Sequence, residues 1–206
     1  RMAAVAKILR YRHAYRGYVH MKILPGASKA AIDDMLTVAD AVSLNVEVPT
    51  TNAMKRLSTT KDFQRDIVQR MHYISQQTQA GSPHSHVRQT TQFIVGAAGE
   101  SDRQIIDATF GLYKRLKLGR VFFSAYQGGL GDSSLPGEHD PAPPTDRMTR
   151  EHRLYQSDYL IRQYRFEAGE IPTDSDGKLS LTEDPKVLWA KSHPETFPIH
   201  VNHADR

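Results

Sequence analysis

One stretch restricts the fold of this chain more than any other: Thr90-Thr91-Gln92-Phe93-Ile94-Val95-Gly96-Ala97-Ala98-Gly99-Glu100-Ser101. It reads as a strand that ends in a small-residue turn and runs straight into a helix. β-Branched and aromatic residues favour the strand. Gly96 and Gly99 carry no Cβ, so the turn can take unusual backbone angles and approach a flat ligand closely. Ser101 and Gln104 form a capping-box pattern, and Ile105, Thr109, Leu112 and Leu116 follow as the buried stripe of a helix. Gly119 suits its C-terminal cap.

The same layout recurs along the chain. A strand over 18–24 ends at Pro25-Gly26, and Ser28 stands before Ile32, Met35, Leu36 and Ala39 at helical spacing. A strand over 42–48 closes at Pro49-Thr50, with a short turn of helix around 53–57. Thr60 is placed to cap a longer helix carrying Phe63, Ile67, Met71 and Ile74 on one face. A fourth strand covers 121–126. The order βαβαβαβ calls for a parallel sheet with right-handed crossovers, so the expected fold class is α/β, a partial (β/α) TIM-type barrel. Residues 1–145 make up that part, opening with a helix over 2–12. The Gly- and Pro-rich stretch 127–144 reads as a long irregular loop of the kind that is usually functional or mobile. Residues 146–206 form a helical extension. It has a helix over 149–166 that buries Leu154, Leu160, Ile161 and Tyr164, a turn at 174–177, and a helix from Asp184-Pro185 to Lys191 stopped by His193-Pro194.

The strand faces carry the functional argument, because side chains alternate across a strand. Val42, Leu44, Val46 and Val48 are apolar, whereas Ser43, Asn45 and Glu47 oppose them. Val19, Met21 and Ile23 oppose His20 and Lys22; Thr91, Phe93 and Val95 oppose Thr90, Gln92 and Gly96; Val121, Phe123 and Ala125 oppose Arg120, Ser124 and Tyr126. Parallel strands covered on both faces are nearly all apolar. Here each has one polar face, which either meets solvent or lines a lumen around a polar ligand. Crossover helices favour the lumen. Chemistry in such barrels sits at the C-terminal strand ends, where Glu47, Gln92, Gly96 and Ser124 fall.

Composition narrows the chemistry. Of 206 residues 39% are hydrophobic, enough for a packed core, and none is cysteine. This chain alone therefore supplies no disulfide, zinc–thiolate or iron–sulfur ligand. A cytoplasmic setting is expected. No run reaches the roughly 20 apolar residues of a membrane span. The formal net charge of +4 suits an anionic ligand or nucleic acid. Arg147, Arg150, Arg153, Arg162 and Arg165 could touch phosphates from one helix, although a solvated face or pairing with carboxylates is favoured. Glu47 has a structural alternative as the partner of Lys22, and Glu100 as a charge favouring a helix N-terminus. His84 and His86 read as ordinary surface residues. Pro172–Glu183 imitates a calcium loop, but Pro172 occupies the first ligand position and flanking helices are absent. No nucleophile elbow, phosphate loop or metallohydrolase motif occurs.

Several segments in this order resemble the radical S-adenosylmethionine (radical SAM) enzymes, and among them the biotin-synthase-like DNA modification or repair radical SAM proteins. They are the stretches from Tyr18 to Ala27 and from Ser43 to Thr50, then Thr90 to Asp102, Ser124-Ala125-Tyr126, and Arg150-Glu151-His152-Arg153-Leu154-Tyr155-Gln156. In the tail they are Asp184-Pro185-Lys186 through Trp189-Ala190, His193-Pro194-Glu195 and Phe197-Pro198. The resemblance implies a radical SAM barrel whose three-cysteine cluster loop lies upstream, so the chain reads as a piece of a longer protein. Residues 201–206 resemble the lead-in to a helix-hairpin-helix module. In such a protein a reduced 4Fe-4S cluster cleaves S-adenosylmethionine to a 5′-deoxyadenosyl radical. By position, Ile94, Gly96 and Gly99 would approach the adenine, Asn45 and Glu47 the ribose and methionyl part, and Ser124 and Ala125 would offer backbone to the adenine edge. His20, Lys22 and Gln92 would face the substrate. The implied partners are a nucleic-acid substrate, a uracil-DNA glycosylase-like protein and an electron donor such as flavodoxin or ferredoxin. The alternatives are a non-catalytic nucleic-acid-binding module and another barrel enzyme with a phosphate-bearing ligand.

Overall fold

The structure is a computed structural model describing residues 1–129 and 132–197. Pro198 and the lead-in at 201–206 lie outside the described residues, as do Leu130 and Gly131 of the long loop. The fold is α/β. Four strands, β1 (His20–Lys22), β2 (Ala41–Ser43), β3 (Arg88–Val95) and β4 (Arg120–Ala125), pair in parallel in the order β1-β2-β3-β4. Between them run α2 (Lys29–Leu36), α3 (Thr51–Leu57), α4 (Gln69–Thr78) and α5 (Asp102–Leu116), after an opening helix α1 (Met2–Lys7). α6 (Pro144–Gln163) and α7 (Pro185–Ser192) close the described chain.

The helix starts follow from local chemistry. Ser28 Oγ accepts from Ala31 N, and Thr50 Oγ1 from Ala53 N. Ser101 and Gln104 complete the expected capping box, and Asp184 caps α7 through Lys186 N. Each satisfies amides that the first helical turn leaves without a partner. The long second crossover, between β2 and β3, differs from expectation. Asp62, not Thr60, is the cap, accepting from Arg65 N, and a π-helical turn (Phe63–Val68) precedes α4. The predicted face still holds, with Phe63, Ile67, Met71 and Ile74 all buried. At the end of α5 it is Lys117 that turns left-handed, at φ 53°; Gly119 instead donates to Gln89 O and leads into β4. α1 continues as a π-helical turn (Ile8–Arg12). α6 begins at Pro144, so the boundary expected at 145/146 falls inside its first turn, and Tyr164 at its end is exposed. Leu154, Leu160 and Ile161 of α6 join the same core as the strands and α2, α4 and α5.

Both the first and second strands are shorter than the sequence suggests. For β2 the cause is a single hydroxyl. Thr91 Oγ1 donates to Leu44 O at 2.8 Å and accepts from Val46 N at 2.9 Å, so it replaces a backbone partner in the ladder. Ser43 pairs with Thr90, and the next bridge joins Glu47 to Phe93. β2 has advanced four residues while β3 advances three. That one-residue excess is a β-bulge.

The two sheet edges are treated differently. On the outer side of β4, Val121 N donates to Tyr113 Oη, Phe123 N to Tyr155 Oη and Ala125 N to Glu151 Oε2, while Tyr155 Oη donates to Phe123 O. Side chains from α5 and α6 thus close an edge that would otherwise invite a further strand. No strand lies beyond β1 among the described residues. Tyr155→Phe removes the partner of the Phe123 amide. It is expected to cost about 1–2 kcal/mol in urea denaturation and to speed hydrogen exchange at Phe123 in particular.

Candidate functional site

The register sorts the expected site residues. Lys22, Ser43, Thr90 and Arg120 align in one row across the sheet, Gln92 aligns with Phe122, and Ile94 with Ser124. Alternation puts His20, Asn45, Gln92, Ile94 and Ser124 on the face shared with that row. The opposite face carries Met21, Val42, Leu44, Phe93 and Val121, which bury against the helices. Asn45 is 8% exposed, and Gln92, Ile94 and Ser124 are half-buried, whereas His20 and Lys22 are exposed.

Glu47 is where the bulge acts. It leaves the ladder with φ 64°, a left-handed angle that costs a non-glycine residue about 1–2 kcal/mol. Such angles persist only where the surroundings fix them, and they gather at functional sites. Here Glu47 N donates to Gln92 O and Glu47 O accepts from Ile94 N, so the conformation is held from both sides. Its Oε2 is buried with no partner among the described residues. Burial raises the carboxyl above its ordinary range, opposed by the Lys61 and Lys22 charges and by the Asn45 side chain. The expected structural pairing with Lys22 is thus a field effect: no ion pair between the two occurs among the described residues. A half-buried carboxylate with an unmet acceptor is suited to a hydroxyl or ammonium donor from a ligand.

The β3–α5 turn has the expected glycines, both at positive φ, 89° for Gly96 and 67° for Gly99. A Cβ on Gly96 would also lie 3.3 Å from Arg150 Nη1. The residue the sequence reading undervalued is Glu100, which is 4% exposed. Its carboxylate accepts from Gly96 N at 2.5 Å and Ala98 N at 2.9 Å, filling the nest of amides the turn creates. Asp102 accepts from Arg150 Nε at 2.5 Å and from Leu179 N, and Arg150 Nη2 donates to Glu100 O. The tail, α6 and the turn are therefore locked together. The signal available in sequence was an acid just before the cap and another in the helix's first turn, which alone says only that they favour the dipole.

At the end of β4 the backbone is already committed. Ala125 N binds Glu151, and Tyr126 N binds Val95 O. Ser124 can offer its side chain, but the Ala125 amide is not free for an adenine edge. The arginines of α6 also face inward. Arg147 donates to Asp140 O and Ala142 O, Arg153 to Ser180 O, and Arg162 to Asp158; of the five, Arg165 remains exposed at the helix end. Pairing with carboxylates, one of the favoured readings of that helix, describes Arg147, Arg150 and Arg162, whereas Arg153 is held by a carbonyl and by Gln156. No group of three His, Cys, Asp or Glu residues able to hold a metal occurs among the described residues. Among those residues no helix is long and apolar enough to cross a membrane. No family model, curated protein or solved structure matches this chain.

Glu47 makes stability depend on pH with a definite sign. Its folded carboxyl is raised, so its contribution is fully present below the ordinary Glu range and is lost as pH rises through the folded value. Glu47→Gln is expected to be more stable than the parent at pH 7, with the gap closing as pH falls below about 4. Parallel denaturation curves for the two proteins at both pH values would remove the under-solvated carboxylate from the account.

Proposed function

We propose that this chain is the C-terminal part of a radical SAM barrel and that its strand ends hold S-adenosylmethionine. The observation that carries the reading is Glu47, a strained and partly desolvated carboxylate with an unmet acceptor at the C-terminal end of a parallel strand. Ribose hydroxyls or the methionyl ammonium are donors of the kind it lacks. Beside it, Asn45 offers an amide, Ile94 offers a shelf for a flat base, with Gly96, whose Cβ side faces Arg150, shaping the turn behind it, and the Ser124 hydroxyl is free to meet the base edge. His20, Lys22 and Gln92 stand further along the same face, toward a substrate.

The cluster is a separate matter. The chain has no cysteine, and its described residues hold no three-ligand group. The residues present do not fit a 4Fe-4S cluster, whose thiolates would come from elsewhere in the whole protein. No step is assigned to it here. The bare side of the sheet fits a barrel that continues past β1, since β4 is sealed by α5 and α6 while Met2, Val5 and Ile8 of the opening helical segment lie exposed. The family's nucleic-acid substrate, its glycosylase-like partner and its electron donor remain parts of the proposal.

The phosphate-ligand alternative is disfavoured because the amides that would cradle a phosphate are filled by Glu100. The test is calorimetric titration of the gene product that carries this chain with S-adenosylhomocysteine. Saturable binding is expected, weakened about tenfold or more in Glu47→Ala, a loss of at least ~1.4 kcal/mol. Binding unaffected by Glu47→Ala, or no binding at all, would reject the site.

A further inference from the structure

We propose that the segment Arg10–Tyr18 is a binding surface for single-stranded nucleic acid, at the opposite end of the sheet from Glu47. The strands are parallel, and this segment precedes β1 just as Val38–Asp40 precedes β2 and His86 precedes β3. All three therefore gather at the N-terminal strand ends. The proposal rests on no part of the S-adenosylmethionine reading.

Charge is the first observation. Residues 1–24 hold six Lys or Arg (Arg1, Lys7, Arg10, Arg12, Arg16, Lys22) and no Asp or Glu. The whole chain has 27 against 23, so the remaining 182 residues carry 21 against 23. The net positive charge of the protein resides in this one segment. The arginines of α6, which look equally basic in sequence, are mostly spent on internal acceptors. Arg12, His13 and Arg16 are exposed and have no partner among the described residues.

Aromatic interleaving is the second. Within Arg10-Tyr11-Arg12-His13-Ala14-Tyr15-Arg16-Gly17-Tyr18, the three tyrosines are 72%, 45% and 58% exposed in chain order. Exposed rings set between cations provide what a flexible strand needs: faces for bases to stack on and charges for its phosphates. An acidic protein surface would use the cations but not the open rings of Tyr11 and Tyr18.

Rigidity is the third. Arg10 Nη1 donates to Tyr15 O at 2.9 Å and Gly17 O at 2.8 Å, its Nε to Val38 O at 3.0 Å and its Nη2 to Asp40 at 2.6 Å. Asp40 also accepts from Val19 N, which holds its carboxyl below the ordinary range, with the Arg10 charge adding to the effect. Ala14 turns the chain at φ 48°, and the Tyr15 ring lies over Gly17, where any Cβ would clash with it. One buried arginine thus fixes the loop while its neighbours point outward, so little order remains to be imposed on binding. Beside the loop, a cleft of about 220 Å³ lies between Arg10, Tyr11, Asp40 and His86 and is open to a base.

Fluorescence anisotropy with a labelled oligo-dT of about a dozen nucleotides tests this on the intact chain. Binding is expected at low salt, with a slope of log K against log salt of about −1.4 to −2 for two to three phosphate contacts. Tyr11→Ala and Tyr18→Ala should each weaken it about 5- to 100-fold, and Tyr11→Phe should restore it. Arg12→Gln should flatten the slope by about 0.7, whereas Arg165→Gln should leave it unchanged. Far-UV circular dichroism and an unchanged melting curve establish that each variant is folded. Absence of binding at low salt, indifference to both tyrosine variants, tighter binding to duplex DNA, or tighter binding to phosphatidylserine vesicles would each overturn the proposal.

Discussion

The hydroxyl of Thr91 is a small group on which the shape of the open face depends. By standing in for a backbone partner between Leu44 O and Val46 N, it lets the second strand gain one residue on the third. The excess appears as a left-handed Glu47, whose buried carboxylate feels the Lys61 and Lys22 charges and the Asn45 side chain. With regular pairing the Glu47 backbone would be unstrained and its side chain would alternate like any other. A bulge beside a functional residue is a recurrent means of re-aiming a side chain. Here the strain and the poor solvation of the carboxylate are both costs to the free protein, and a donor from outside would relieve the second.

A second carboxylate shows the opposite management. Glu100 is more deeply buried than Glu47, yet it is fully met by two amides and sits beneath a clamp of Arg150 and Asp102. Buried charge with complete partners makes a rigid turn. On the proposed reading Glu47 is the site residue and Glu100 its scaffold, although the two acids sit at successive strand ends. The sealing of β4 by Tyr113, Tyr155 and Glu151 belongs with this scaffold. It anchors α6, and α6 carries the Arg150 that holds the turn.

Much of this was legible in the chain itself, and the failures have physical reasons. Alternation on the strands separated the helix-facing side chains from Asn45, Gln92 and Ser124 because a period of two is read locally, and it fails at Glu47, where the bulge interrupts it. Ser28 and Ser101 were readable as caps, and Asp184-Pro185 as a helix start, because a cap acts within three residues; Thr50, which caps α3, reads in sequence as the close of a strand. Asp62 was passed over for Thr60 since either could start that helix, and only the fold around Phe63 chooses. Thr91 reads as a β-branched strand former; nothing local says that its hydroxyl will enter the ladder. The acceptors of Arg150 and Arg153 lie far away in sequence, Asp102 48 residues from Arg150 and Ser180 27 from Arg153, so those two pairings could not be read locally, whereas Asp158 and Arg162 stand at a helical i, i+4 spacing legible in the chain. The tyrosines at 11, 15 and 18 fall across the expected end of the first helix at Arg12 and the expected start of the first strand, and nothing local says how exposed their rings will be.

The account turns on one acid that lacks a donor in the free protein. Its most direct test is carbon-detected NMR of the Glu47 side-chain carboxyl as a function of pH, with and without S-adenosylhomocysteine. A titration above the ordinary Glu range that moves down when the ligand is added is the predicted result. An ordinary titration that the ligand leaves in place would contradict it.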